Sequence, residues 1–123
     1  MFADPAVITI NGVAKSLTRI NQDGYSSEYV LRNALDEYRL FIRNKPRIDK
    51  KRGVSLDRHE VDLIHTIFPV APATTSTIRK VYAVVENQQG DTLTDPVLTA
   101  AGLFGYLTAT SNANLTKLMN SES

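Results

Sequence analysis

The side chains best spaced for chemistry in this sequence are basic and aromatic. Arg39, Phe41 and Arg43 alternate with Tyr38, Leu40 and Ile42. On an extended strand that alternation puts both guanidinium groups and the Phe41 ring on one surface. Guanidinium pairs bidentately with phosphate and stacks on planar bases. Lys80 and Tyr82 alternate in the same way with Arg79 and Val81. An ammonium for phosphate then sits beside a ring that can stack on a nucleobase. From Arg43 to Arg58 the basic residues are Arg43, Lys45, Arg47, Lys50, Lys51, Arg52 and Arg58. Against them stand only Asp49 and Asp57, a local +5 in a chain of formal net charge +1. Cations on such a loop reach phosphate with little geometric fixing, which gives salt-dependent affinity and little sequence preference.

Each of these groups also has a plainer role. Tyr82 can pack across strands on Phe41 or Ile64. Arg39 and Arg43 can pair with Glu60 and Asp62 on the neighbouring strand, and two acids beside a polyanion need such neutralisation. The basic stretch can serve solubility or touch another subunit.

Other chemistries have little to work with. Cysteine is absent, so there is no disulfide framework, thiol nucleophile or Cys-containing zinc site. His59 and His65 share a strand face but lie about 20 Å apart on a straight strand, too far to ligate one metal. Asp23, Glu28 and Asp91 are candidate calcium ligands at a carboxylate-rich subunit contact; turn caps and surface charge are their simpler roles. No P-loop, His-Glu-x-x-His or Gly-x-Ser-x-Gly motif occurs, and no enzyme activity is expected. No apolar run reaches membrane-spanning length. Met1–Pro5 lacks a basic region followed by an apolar stretch, so no signal peptide is expected. Hydrophobic residues make up 42% of the 123 residues, enough for a folded core in one domain, residues 1–123.

The elements that must position these groups are short strands followed by helices. Ala6–Ile10 is β-branched and apolar, and Asn11-Gly12 is a hairpin turn because both residues tolerate positive φ. Val13–Ile20 is the return strand. Asn21–Gly24 turns again, and Tyr25–Leu31 is the third strand. Arg32–Ala34 is a connection, and Asp36–Arg43 is the strand bearing Arg39. Pro46 and Gly53 mark the middle of the basic stretch as a loop. A long strand, Leu56–Phe68, puts Arg58, Glu60, Asp62 and Ile64 on one face and Val61, Leu63, His65 and Ile67 on the other. Pro69–Pro72 ends it, and Ile78–Val85 is the last strand. From Asp95 the period becomes helical through Val97, Ala100, Ala101, Phe104 and Leu107, with Asp95 as cap and Pro96 at the first position. A second short helix is expected over Ala113–Met119, presenting Leu115 and Leu118. One small sheet and two short helices bury limited surface, which points to a homodimer.

The pattern Ile20-Asn21-Gln22-Asp23-Gly24-Tyr25 with Ser27-Glu28-Tyr29 is distinctive. Arg58-His59, Val61 and Ile78-Arg79-Lys80-Val81-Tyr82-Ala83-Val84 follow it in order. On these residues the chain resembles the coat proteins of single-stranded RNA bacteriophages, levivirus-like and nearest to those infecting Caulobacter. The resemblance implies an α+β subunit: an N-terminal β-hairpin, a five-stranded antiparallel sheet and two C-terminal helices. It implies an interlocked homodimer with a ten-stranded sheet, helices outside and sheet toward RNA, building a T=3 icosahedral capsid. It also implies an RNA hairpin whose binding represses replicase translation, and a virion assembled in the bacterial host cytoplasm.

Arg79 and Tyr82 match the Arg-x-x-Tyr of the family's last strand, where the tyrosine stacks on a base, and Arg43 matches an inward arginine. Phe41 and Val84 depart from the small hydroxyl residue and the Asn or Asp usual there, so a different hairpin code is expected. The RNA-binding set is therefore Arg39, Phe41, Arg43, Lys50, Lys51, Arg58, Lys80 and Tyr82. The dimer-interface set is Val97, Ala101, Phe104, Leu107, Leu115 and Leu118. The Val70–Ser76 loop is expected to meet neighbouring dimers. The competing function is a small cellular RNA-binding homodimer using the same sheet surface. No membrane or small-molecule partner is expected.

Overall fold

Asn11 and Gly12 both take positive φ, 51° and 77°, and fold the first hairpin as their sequence requires. It joins β1 (Ala6–Ile10) to β2 (Val13–Gln22). The strands that follow are β3 (Ser26–Arg32), β4 (Asp36–Asp49), β5 (Val54–Ile67) and β6 (Thr77–Gln88), and α1 spans Thr94–Met119. The structure is a computed structural model describing residues 1–123. The six strands form one antiparallel sheet in sequence order.

Side-chain hydrogen bonds set the turns. Asp23 Oδ1 accepts from the Tyr25 and Ser26 amides at 2.9 and 2.8 Å, and Oδ2 accepts from the Ser26 hydroxyl at 2.8 Å. Between β4 and β5, Asp49 Oδ1 accepts from the Lys51 and Arg52 amides, and Gly53 at φ 66° closes the turn.

Two expectations about architecture are corrected. The N-terminal hairpin is not separate from a five-stranded sheet. Strand β2 is ten residues long, so Val13–Leu17 pairs with β1 while Thr18–Gln22 pairs with β3, and the sheet has six strands. The C-terminal region is one helical element rather than two helices. It bends where Ala109–Asn112 leave helical geometry, and Asn114 Nδ2 donates to the Tyr106 carbonyl across the bend. The sheet of one chain ends at six strands, and no interlocked ten-stranded dimer is established by it. Asp95, expected as the helix cap, sits in the first turn, its amide donating to Thr92 Oγ1.

Strand limits also move. Arg32 belongs to β3, and β4 runs through Pro46 to Asp49 where a loop was expected. Proline is tolerated there because β3 stops opposite Arg43, leaving that stretch of β4 at an open edge. The result is an arm of β4 and β5 that runs past the end of β3, flanked by β6 as far as Leu56, with Lys50–Gly53 at its tip.

The core lies on one face of the sheet. Leu17, Tyr29, Tyr38, Leu40 and Ile42 are buried, with Ala6, Ile8, Ile10 and Leu31 packed against them. His65 stacks on Tyr38 at 4.1 Å between ring centroids and meets Asp36 at 2.9 Å. The hairpin β1–β2 supplies much of this cover. Helix α1 supplies little: none of its residues is buried. Between α1 and the sheet lies an apolar cleft of about 410 Å³, lined by His59, Val85, Leu93, Val97, Ala101 and Phe104 among others.

Candidate nucleic-acid interface

Opposite the core, strand register builds a polar face row by row. Residues paired directly across an antiparallel ladder share a face. One row is Glu28, Phe41, Asp62 and Tyr82; the next is Val30, Arg39, Ile64 and Lys80. On the other side of the first come Ser26, Arg43, Glu60 and Val84, then Lys45, Arg58 and Glu86. The alternation in the sequence thus brings Arg39, Phe41, Arg43, Arg58, Lys80 and Tyr82 onto one surface. Lys50 and Lys51 sit apart from it, at the exposed tip of the β4–β5 arm. Arg79 pairs with His65 and faces the core side.

The arginines of this face are not free. Arg39 meets Glu28 and, at 3.1 Å, Glu37, which also holds Arg32 at 2.8 Å. These two arginines, Arg32 first, hold the Glu37 carboxyl below its ordinary range, while Glu37 and then Glu28 raise Arg39. Arg43 Nη1 lies 3.0 Å from Asp62 Oδ2 and 3.8 Å from Glu60. Arg58 meets Glu60 at 3.4 Å and Glu86 at 3.7 Å, and Arg47 meets Glu86 at 2.8 Å. The expected acid partners of Arg43 are therefore present. Arg39 uses Glu28 and Glu37 instead of Glu60 and Asp62, because Ile64 is its neighbour on β5. Lys45 and Lys80 on the face, and Lys50, Lys51 and Arg52 at the tip, have no carboxylate partner.

The two aromatic side chains differ in openness. The Arg43 guanidinium lies 4.5 Å from the Phe41 ring centroid and covers it. Tyr82 is 63% exposed, with Lys80 Nζ 5.3 Å from its centroid. Tyr82 is thus open in the single chain, with an unpaired cation over its ring.

Sequence reasoning named Asp62 as an ion-pair partner but missed its burial. It is 3% exposed, and its Oδ1 is buried without a hydrogen-bond partner. An acid at an alternating strand position carries no sign of burial in the sequence alone.

The remaining candidates lie elsewhere. His59 and His65 occupy the core side. His59 sits between Asn44 Oδ1 and Asn87 Oδ1, at 2.7 and 3.1 Å. Asp23 is taken up by its turn, Glu28 by Arg39, and no group of three acids or histidines is placed to hold a metal. Of the α1 residues, Val97, Ala101, Phe104 and Leu118 are exposed and Leu107 and Leu115 half-buried; Val97, Ala101 and Phe104 face the cleft.

Solved structures with the same fold include a virus-like particle of Beihai levi-like virus 21, at 17% identity and TM-score 0.72. It covers 100% of this chain and 97% of that one. The bacteriophage EMS014 coat protein matches at 14% identity and TM-score 0.70, covering 99% and 98%. A virus-like particle of bacteriophage AVE019 matches at 10% identity and TM-score 0.59, covering 89% and 90%. No curated protein matches the chain. Residues 3–88, which include all six strands, match the family model described as the phage phiCb5 coat protein. The chain belongs to this family of levivirus-like phage coat proteins, a structural protein of the capsid rather than an enzyme.

Proposed function

We propose that the coat protein, residues 1–123 as one domain, self-associates through α1 and encloses single-stranded RNA against the polar face of its sheet. The observation that carries this reading is the division of the sheet. One face is covered by the hairpin and approached by α1; the other presents Lys80, Lys45 and the open Tyr82 ring amid paired charge. A ring beside an unpaired ammonium suits a single strand, whose bases stack and whose phosphates seek cations. Arg39, Arg43 and Arg58, though ion-paired, keep further N–H groups for phosphate. Lys50 and Lys51 add phosphate contacts from the arm.

Self-association is supported by the surface one chain leaves open. Only seven of 123 residues are buried, far fewer than a stable domain of this size encloses. Val97 and Phe104 are exposed, and β6 has no neighbour on its outer edge. A homodimer is the unit that covers these groups. Virus-like particles are formed by the matched proteins of Beihai levi-like virus 21 and bacteriophage AVE019, and a closed icosahedral shell is the assembly proposed for this chain. Its place is the virion, built in the cytoplasm of a bacterial host, with the Val70–Ser76 loop at contacts between neighbouring units. Binding to an RNA hairpin would add translational repression to packaging.

Electron microscopy of the purified protein with nucleic-acid extraction tests this. Uniform particles that retain RNA are expected. Discrete dimers under every assembly condition would refute the shell, and empty particles that ignore added RNA would refute the packaging face.

A further inference from the structure

We propose that Asp62 makes the RNA-facing surface selective for guanine. Asp62 stands in the middle of the row Phe41, Asp62 and Tyr82, one strand from each residue. Its Oδ2 is held by Arg43 Nη1 at 3.0 Å. Its Oδ1 is buried with no donor. A buried carboxylate oxygen left unpaired is costly and is corrected by any donor that reaches it. The Phe41 ring is capped by Arg43 at 4.5 Å; the Tyr82 ring, with Lys80 over it at 5.3 Å, is 63% exposed and is the more open to a base. A base laid on Tyr82 that extends toward β5 crosses one strand spacing, about 5 Å, to the strand that bears Asp62.

That edge must donate. Phosphate at that edge is repelled by the Asp62 carboxylate itself. Uracil offers one N–H flanked by two carbonyl oxygens, both repelled. Adenine and cytosine each offer an amino group beside a ring-nitrogen acceptor. Guanine alone presents two adjacent donors, N1–H and the exocyclic amino group, with no acceptor between them. Arg43, which holds Asp62, and Tyr82, its register partner on β6, are surface side chains, 45% (side chain) and 63% exposed. Arg43 has Glu60, 3.8 Å away, as an alternative partner when it turns aside. Loop cations supply affinity to any RNA; this acid supplies preference for one base.

The inference rests on the RNA-binding reading of this face, and its test separates the two. Dissociation constants are measured, below the assembly threshold, for oligouridine and for the same strand with one central guanosine or inosine. Wild-type protein is expected to bind the guanosine strand about tenfold more tightly than oligouridine, the scale of a good base contact. Inosine, which lacks the amino group, is expected to fall between them. Asp62→Asn is expected to lose the guanosine preference while binding oligouridine at least as tightly as wild type, since a negative charge is removed. Equal binding of all three strands by wild type, or a preference retained by the variant, overturns the inference and leaves RNA binding intact. No binding of any strand overturns both. Circular dichroism checks the fold of Asp62→Asn; should it fail to fold, the guanosine–inosine comparison in wild type decides alone.

Discussion

Tyr82 and Arg43 have opposite fates on the same face, and exposure separates them. Tyr82 is open with Lys80 over its ring, whereas Arg43 is bound into Asp62, Glu60 and the Phe41 ring. Tyr82→Ala is expected to change stability by less than about 0.5 kcal/mol. It should weaken RNA binding by about 1–3 kcal/mol without altering the salt slope, because stacking releases few counterions. Titrations at several salt concentrations check this; wild-type affinity would make the ring structural. Carboxylates set a second expectation. Asp23 is held below its ordinary range first by the Tyr25 amide and then by Ser26; Asp36 first by Asn33 and then by His65; Glu37 by Arg32 and Arg39. Folded values below unfolded ones mean that this stability is present above the ordinary carboxylate range. It is lost as pH falls through the folded values. Melting temperature should hold from neutral pH to about 5 and fall below about 4. Asp23→Ala should lower the plateau and shrink that fall, and an unchanged acid limb in the variant would remove Asp23 from the account.

The β4–β5 arm shows what strand-level patterning does and does not reveal. Alternation from Tyr38 to Arg43 and from Lys80 to Val84 was enough to place the polar face, because a period of two is a direct consequence of the pleat. Asn11-Gly12 likewise announced its turn. The arm was not legible: Pro46 argues against a strand, and only the early end of β3 reveals that β4 has an open edge to accommodate it. The joining of hairpin and sheet through β2 was hidden for a similar reason, since length alone does not say that one strand pairs on both sides. The bend at Ala109–Asn112 has no glycine or proline to mark it, and Thr110, Ser111 and Asn112 all take positive φ. The arm's tip carries Lys50, Lys51 and Arg52 with no acid partner, held by hydrogen bonds from backbone to Asp49. Lys50→Ala combined with Lys51→Ala should weaken matched and scrambled RNAs alike. It should also reduce the salt slope by about 1.4, roughly 0.7 for each phosphate lost on a single strand. A full slope in the double variant would remove the tip from the interface.

At the scale of the whole chain, the amount of apolar surface left open governs behaviour. The core beneath the hairpin is small, α1 buries no residue, and the cleft between α1 and the sheet is lined by apolar side chains. Phe104 is the largest of them and is 45% exposed in the single chain. Helical spacing together with the resemblance marked it as an interface residue, and the structure leaves the ring half open. Truncating a fully buried phenylalanine costs about 3–5 kcal/mol, and a half-open one less. Phe104→Ala should therefore affect the isolated chain modestly. The larger loss should come on association, where the ring's remaining surface would leave water. Two measurements separate these contributions. Sedimentation across a range of protein concentrations reports self-association, and a melting curve at fixed low concentration reports the chain itself. The expected result is association weakened by tenfold or more, with particle yield falling in step, while the low-concentration melt shifts by only a few degrees. If the melt collapses and association of the folded fraction is unchanged, Phe104 belongs to the chain's own core. If neither quantity moves, α1 associates through a different face, and the exposed Val97 and Leu118 become the residues to truncate next.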